Sequence, residues 1–236
     1  MRKLIEKRNY IILIIIVLLI IWIFSSKKEI FVKSFNFNNS IITYVIYDKI
    51  DDNIVRKNIE KIYKKYENKS LDEKSKKYIF DKTDGYFEDI SNYLVSYSTS
   101  EVLKYFKEKG IKKYMINVDG DVILGNKYSD KDYSVSIHDP FDNSVLKIVY
   151  FSNKALSSVK SFDDFDNLKG DKKDYDMVSV ICSDIITSNI VSNYIFYLSM
   201  EDGENVLLKN KCDGLWYING RIYTSSNFSK YFNKKL

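Results

Sequence analysis

Two aspartates flank a single glycine in the segment Met115–Gly125, which reads MINVDGDVILG. Carboxylates such as those of Asp119 and Asp121 are ligands that a hard cation prefers. The same residues suit a β-turn, because glycine tolerates positive φ and aspartate hydrogen-bonds its own backbone. Taken alone, the Asp119-Gly120-Asp121 motif favours a turn between two short apolar strands, and only its neighbours decide whether it is also a site.

Few other residues offer chemistry. His138 is the only histidine, and a surface or structural role is favoured for it because it has no visible partner. Six aspartates between positions 163 and 176 either bind a cation or, more commonly, form a solvated loop with the lysines among them. Cys182 and Cys212 lack the spacing of a zinc site, which favours a buried thiol and an incidental one. A disulfide between them is the alternative if the domain is exported.

The length and composition of the chain predict one domain with an appendage. The chain has 236 residues, a formal net charge of +5 and 45% hydrophobic residues, enough for one well-buried core. Its single proline and eight glycines argue against a Pro-rich or flexible linker. No basic stripe is interleaved with aromatic residues, so a nucleic-acid partner is not expected.

The N-terminal appendage is predicted to cross a membrane. The apolar run Tyr10–Phe24, with its polar flanks, is long enough for a bilayer core, so residues 10–26 are an anchor after a short tail, residues 1–9. A cleaved signal peptide is the alternative, but no Ala-x-Ala-like site follows the run. The positive-inside rule modestly favours a cytoplasmic tail, which places residues 27–236 outside the cell membrane of a single-pass protein.

The first half of the domain shows strand, helix and turn signals. Ile41–Tyr47 is rich in β-branched and aromatic residues and predicts a strand. Asp51 or Asp52 then caps a helix that ends near Asn68. Asp84-Gly85 lies between two aromatic-rich runs and predicts a hairpin.

The second half continues with mixed elements. Ser98-x-x-Glu101 fits a capping box whose helix stops at Gly110, and Asn219-Gly220 predicts a type I′ hairpin. Further strands are predicted at Tyr133–Ile137, Val145–Phe151 and Met177–Cys182, with a helix over Ile185–Met200. This mixture predicts an α+β fold with mixed or antiparallel sheets and flanking helices, preceded by one transmembrane helix.

The order of several short segments resembles a known family. Asn117-Val118-Asp119-Gly120-Asp121 matches an Asn-x-Gly-Gly-Asp motif, and a strand closing in Asp139-Pro140 follows it. Ala155–Val159 and Val178–Ile181 match the next two strands, and Asp89–Tyr97 and Ser188–Tyr194 align without gaps. In this order, the domain resembles the FAD:protein FMN transferases, the ApbE family.

The resemblance implies an activity and a set of site residues. Such enzymes split the FAD pyrophosphate with a divalent metal such as Mg²⁺ and attach FMN to a Thr or Ser of a partner protein, here an exported redox protein. A hard cation in such a site offsets charge on the phosphoryl oxygens. The resemblance assigns nucleotide binding to Asp89, Asn117, Asp119, Gly120, Asp121 and Asp139, and the metal positions to Asn189 and Asn193.

Several family residues are replaced. Asn189 stands where the family has a metal-binding Asp, Asn193 replaces a metal-binding Thr, and Val95 replaces a Lys. A His-Ile-x-Asp-Pro-x-Thr-Gly motif has no counterpart, and no catalytic residue is assigned. Because a hard cation prefers carboxylates to amides, we expect transfer activity to be weak or lost. The alternative is a non-catalytic flavin-binding or scaffold module of an extracytoplasmic redox complex.

Overall fold

An eight-stranded antiparallel sheet forms the centre of the domain. The computed structural model describes residues 30–67, 72–83, 93–128, 130–161 and 174–232, which belong, apart from Ile30, to one compact unit, Phe31–Leu236. The strands are β1 (Phe31–Phe37), β2 (Ser40–Ile46), β3 (Tyr114–Val118), β4 (Asp121–Leu124), β5 (Tyr133–His138), β6 (Val145–Phe151), β7 (Lys154–Lys160), β8 (Met177–Cys182), β9 (Asp213–Ile218) and β10 (Arg221–Thr224). The main sheet has the order β1-β2-β3-β4-β7-β8-β9-β10, and β5 pairs with β6 separately.

Five helices accompany the strands in the part of the chain described here. They are α1 (Asp52–Tyr66), α2 (Glu73–Lys82), α3 (Leu94–Glu108), α4 (Ile185–Ile195) and α5 (Met200–Asn210), followed by a 3₁₀ helix at Phe228–Tyr231. The expected α+β class with antiparallel sheets and flanking helices is confirmed. The predicted tail and anchor, residues 1–26, lie outside the described residues. None of the helices within the described ranges is long and apolar enough to cross a membrane.

The main sheet is covered on both faces. Strand β8 shows this directly, because all six of its residues are buried. Val178 and Val180 pack into a cluster with residues of α4 and α5, whereas Met177 and Ile181 pack with β5, β6 and the 3₁₀ helix. Since side chains alternate between the faces of a strand, the helices lie on one face and the β5–β6 pair on the other.

Helix α4 lies within the helical layer. It contacts β7 and β8 below it and α3 and α5 beside it. Nine of its eleven residues are buried, as expected for a helix that is apolar on most sides. Its N-cap is Asp184, whose Oδ1 accepts a hydrogen bond of 2.8 Å from the Thr187 N–H.

Several predicted elements match the structure closely. Strands β6 and β8 have the predicted bounds, and β5 extends one residue beyond its prediction. The helix predicted after β2 is α1, which Asp51 caps and which ends at Tyr66. Gly110 follows α3 with φ of 68°, the left-handed conformation expected after a helix end.

Other predicted elements are corrected. Helix α3 begins at Leu94, so Ser98 lies inside it and its hydroxyl donates to the Val95 carbonyl at 2.9 Å instead of capping the helix. The first arm of the predicted Asp84-Gly85 hairpin belongs to α2, because Asp72 caps a helix there; the turn itself lies outside the described residues. The helix predicted over Ile185–Met200 ends at Ile195, and a second helix, α5, follows.

The two cysteines form a disulfide. Cys182 ends β8 and Cys212 follows α5, with their Cα atoms 4.5 Å apart. The favoured interpretation of a buried thiol and an incidental one is therefore wrong, and the alternative of a disulfide is correct. The bond ties the end of β8 to the connection between α5 and β9.

Candidate functional site: a polar cluster around Asp121

The Asp119-Gly120 turn joins β3 to β4 at one end of the sheet. Asp119 and Gly120 have φ of 50° and 101°, and positive φ at both central residues is the requirement of a type I′ turn. The Asn117 side chain closes the turn by accepting a hydrogen bond of 3.2 Å from the Gly120 N–H. The turn therefore places Asp121 at the first position of β4, in the interior of the main sheet.

The Asp121 carboxylate is held by two elements. Its Oδ1 accepts a hydrogen bond of 3.1 Å from the Ser158 N–H of β7. Its Oδ2 accepts one of 3.0 Å from the Asn189 Nδ2 of α4. Hydrogen bonds to an ionised acceptor are the stronger kind, so the carboxylate links the strand to the helix.

A polar stripe on α4 faces this carboxylate. Asn189, Ser192 and Asn193 lie three and four residues apart, which places them on one side of the helix. Asn189 Nδ2 also lies 3.3 Å from the Ser157 hydroxyl, and the Ser192 hydroxyl lies 3.4 Å from the same oxygen. We call Asp121, Ser157, Asn189, Ser192 and Asn193 the Asp121 cluster.

One atom of the cluster lacks a hydrogen-bond partner. The Asn193 side chain is only 4% exposed, and its Nδ2 donates to the Asn189 carbonyl at 2.7 Å. Its Oδ1 is buried and has no hydrogen-bond partner among the described residues. Since buried polar atoms are nearly always paired, this unpaired oxygen is a candidate acceptor for a ligand.

The cluster as arranged does not suit a divalent cation. It contains one carboxylate, and no group of three or more His, Cys, Asp or Glu side chains converges in the described parts of the chain. Moreover, Asn189 presents its N–H donors to Asp121, whereas a cation held between them would need the amide oxygen there. The amide thus occupies the direction from which a cation would approach the carboxylate.

Asp119, the other aspartate of the turn, has structural partners in β2. The Asp119 N–H donates to the Ile41 carbonyl at 3.2 Å, and the Ile41 N–H donates to Asp119 Oδ1 at 2.8 Å. These bonds extend the pairing of β2 and β3 by one residue. Asp119 therefore fastens the hairpin to β2.

Asp139 lies on the other face of the sheet. Its Oδ2 accepts a hydrogen bond of 2.6 Å from the hydroxyl of Tyr217, a residue of β9 that packs with the β5–β6 pair. This hydrogen bond lowers the pKa of Asp139, and the same bond raises the pKa of Tyr217 to about 12. The structure thus brings together Asp121, Asn189 and Asn193 but not Asp139.

The remaining candidates fall outside the cluster. Asp89 and most of the acidic region lie outside the described residues. His138 follows the favoured structural interpretation, because its Nδ1 is 2.9 Å from the Asn143 carbonyl.

Sequence reasoning missed two members of the cluster, Ser157 and Ser192. Ser157 was aligned with a family motif but given no role, and it is fully buried on the helical face of β7. Ser192 lies three residues after Asn189, and that helical spacing is the signal that identifies it.

The comparisons with known proteins agree with one another. The model of the ApbE family matches residues 48–216. The fold is similar to the flavin transferase ApbE from Vibrio cholerae, with a TM-score of 0.69, 11% identity, and coverage of 86% of this chain and 99% of that one. It is also similar to the ApbE protein of Thermotoga maritima, with a TM-score of 0.69, 13% identity, and coverage of 87% and 100%.

A third solved structure, the apo form of the Pseudomonas stutzeri flavinyl transferase ApbE, gives a TM-score of 0.67 at 11% identity and covers 87% of this chain and 98% of that one. No curated protein matches by sequence. The family model spans more than half of the chain, and the solved structures share its fold. The resemblance carried by the sequence motifs is thereby confirmed: the chain belongs to the ApbE family of flavin transferases.

Proposed function

We propose that the protein is a membrane-anchored flavin transferase family member in which transfer of FMN from FAD to a Thr or Ser of a partner protein is weak or lost. Family membership supports the flavin chemistry. The single observation that carries the loss is the 3.0 Å hydrogen bond from Asn189 Nδ2 to Asp121 Oδ2. A site that depends on a hard cation loses its electrostatic aid when an amide donor takes the cation's place beside the carboxylate.

The cellular location in this proposal is the outer side of the cell membrane. Its supports are the apolar segment Tyr10–Phe24 and the Cys182–Cys212 disulfide, since disulfides persist in oxidising compartments. We expect a cysteine introduced at exposed Lys33 to react with a membrane-impermeant maleimide in intact spheroplasts, and one introduced at Lys3 to react only after lysis. The reverse pattern of labelling would place the domain in the cytoplasm.

The transfer assay uses the full-length protein in detergent with FAD, Mg²⁺ and a purified flavin-acceptor domain, and a fully active ApbE enzyme serves as the reference. We expect covalent fluorescent product to form about 10- to 100-fold more slowly than with the reference, because losing the interactions that support a metal site typically costs this much activity. A rate equal to the reference would contradict the proposal.

A second candidate function is a non-catalytic flavin-binding or scaffold module of an extracytoplasmic redox complex. The carboxylate-poor Asp121 cluster favours it, because the fold can hold a nucleotide without the cation that cleavage requires. Titration of FAD fluorescence distinguishes the two candidates. Saturable quenching without covalent product supports the binding module, and covalent product supports the enzyme.

A further inference from the structure

A polar cavity lies at the opposite end of β4 and β7 from the Asp121 cluster. Its volume is about 260 Å³, slightly below the roughly 300 Å³ at which pockets for drug-sized ligands begin. Its polar and charged lining comes from the β4–β5 connection, the β6–β7 turn and the 3₁₀ helix: Lys127, Asp132, Ser152, Lys154, Lys230 and Tyr231.

The strand register separates this cavity from the Asp121 cluster. Lys154 begins β7 and pairs with Leu124, the last residue of β4. Ser158, which donates to Asp121, lies four residues further along β7. At about 3.3 Å per residue, the two regions are about 13 Å apart along the strand, so the cavity is distinct from the Asp121 cluster.

The cavity contains more positive than negative charge. Lys127 lies 3.5 Å from Asp132, and Lys230 lies 2.7 Å from Asp213. Asp213 is further engaged by the Tyr231 hydroxyl at 2.8 Å. Both carboxylates therefore contact another lysine directly, and the third ammonium, that of Lys154, has no such contact with them.

Lys154 forms no ion pair with the residues that the structure describes. No carboxylate among the described residues lies within the 4.0 Å of an ion pair from its ammonium. Burial and then the nearby Lys230 ammonium lower the pKa of Lys154, and the Asp213 carboxylate, already engaged by Lys230 and Tyr231, offsets this only in part. A partly buried cation without a carboxylate in direct contact is costly, because the desolvation of its charge is only partly offset.

Ser152 adds an unpaired hydroxyl to the same wall. Its Oγ is buried and has no hydrogen-bond partner within the described ranges. The Ser152-Asn153 turn carries the chain from the two-stranded sheet into the main sheet, and the Asn153 N–H donates to the Gly125 carbonyl at 3.0 Å. This bond fixes the turn, so Ser152 and Lys154 are held at the cavity in place before any ligand arrives.

We propose that this cavity binds a small phosphate group, with the Lys154 ammonium and the Ser152 hydroxyl as its direct donors and Lys127 and Lys230 as surrounding charges. A phosphate oxygen supplies the acceptors that both groups lack, and lysine is a common point-charge partner of phosphate. The group is either free phosphate or the phosphate of a small ester, and the rings of Tyr150 and Tyr231 near the cavity favour an ester with an apolar substituent.

Isothermal titration of the full-length protein in detergent, at fixed ionic strength with chloride as the only other anion, tests the proposal with inorganic phosphate and with phenyl phosphate as probes. We expect saturable binding at one site per chain. Lys154→Met keeps the aliphatic stem and should weaken binding at least about tenfold, while Ser152→Ala should weaken it about threefold. Tighter binding of phenyl phosphate identifies an ester as the ligand, and equal binding identifies free phosphate.

Lys33→Met is the matched control, because Lys33 is an exposed lysine on β1 and its removal changes the net charge equally. Its affinity should equal that of the wild type. The proposal is overturned if neither probe binds saturably below about 10 mM, where binding free energy is already small. It is also overturned if Lys33→Met weakens binding as much as Lys154→Met does.

Discussion

Two hairpins of this protein have nearly the same turn and very different surroundings. Asp119-Gly120 has φ of 50° and 101°, and Asn219-Gly220 has φ of 47° and 78°. The residue after each turn begins a strand, Asp121 in β4 and Arg221 in β10. Asp121 lies in an interior strand and bonds to β7 and α4, whereas all four residues of β10 are exposed.

The comparison shows that the turn alone does not make a site. Both motifs have the residues that positive φ favours, and both form as expected. What differs is the position in the sheet, because β4 has a neighbour on each side and a helix above it, while β10 is an edge strand. A carboxylate after the first turn therefore acquires partners that a charged residue after the second cannot reach.

The largest expected effect comes from removing the Asp121 carboxylate. Asp121→Ala leaves the Ser158 N–H without its acceptor and the Asn189 amide with only its longer bond to Ser157, so we expect a loss of about 2–3 kcal/mol in the free energy of unfolding. Arg221→Ala, at the equivalent position of the other hairpin, should change it by less than about 0.5 kcal/mol. Urea denaturation measures both, and equal losses would remove the distinction between the two hairpins.

A carboxylate at position 189 should convert the cluster into a cation site. Without metal, Asn189→Asp places two carboxylates side by side and should lower stability. With Mg²⁺ at 100 times its dissociation constant, we expect the variant to gain about 2.7 kcal/mol and its Tm to rise by about 5–10 °C.

Thermal melts with Mg²⁺ and with EDTA measure this difference. Asn205→Asp, which adds the same charge at an exposed position of α5, is the control and should show no such rise. A rise in the wild type as large as in Asn189→Asp would mean that the amide does not exclude the cation.

The glycines of the two turns allow a direct test of what the hairpins share. Neither Gly120 nor Gly220 has an atom within 4 Å of an added Cβ, so the cost of Gly→Ala is that of positive φ alone, about 1–2 kcal/mol. We expect both variants to lose a similar amount by urea denaturation. A loss at Gly120 several times that at Gly220 would show that the first turn carries strain beyond its backbone conformation.

The smallest effect is expected at the second hairpin, where Tyr217 donates to Asp139. This bond lowers the pKa of Asp139 and raises that of Tyr217 to about 12. The bond therefore makes its full contribution to the free energy of unfolding between pH about 3.9 and pH about 10, the ordinary pKa values of aspartate and tyrosine. It is lost as the pH falls through the pKa of Asp139 and as the pH rises from about 10 through that of Tyr217.

Denaturation of the wild type and Tyr217→Phe across this pH range measures the contribution. We expect a small, constant difference in the free energy of unfolding from about pH 5 to about pH 9 that shrinks on both sides. A difference independent of pH would show that the contribution of the Tyr217 hydroxyl does not depend on the ionisation of Asp139.

Local sequence patterns predicted much of the fold because their causes are local. The Asn219-Gly220 turn, the Asp51 cap of α1 and the glycine after α3 each depend on residues a few positions apart. The misplaced start of α3 has a physical reason as well. Ser98-x-x-Glu101 has the composition of a cap, but the Ser98 hydroxyl bonds back to the Val95 carbonyl inside a helix that had already begun.

The sequence by itself determined the family, the strand and turn signals and the replacement of charged residues by Asn189 and Asn193, because residue identity and short spacing suffice for these. Only the tertiary structure decided that Asn189 donates to Asp121, that Asp139 pairs with Tyr217 on the other face and that the cysteines bond. It also decided that Lys154 makes no ion pair with the described carboxylates, since Asp132 and Asp213 contact other lysines. The three contacts join residues at least 30 positions apart. The state of Lys154 depends on which lysines the nearby carboxylates already contact. Such pairing is set by the order and register of the strands, which no local pattern encodes.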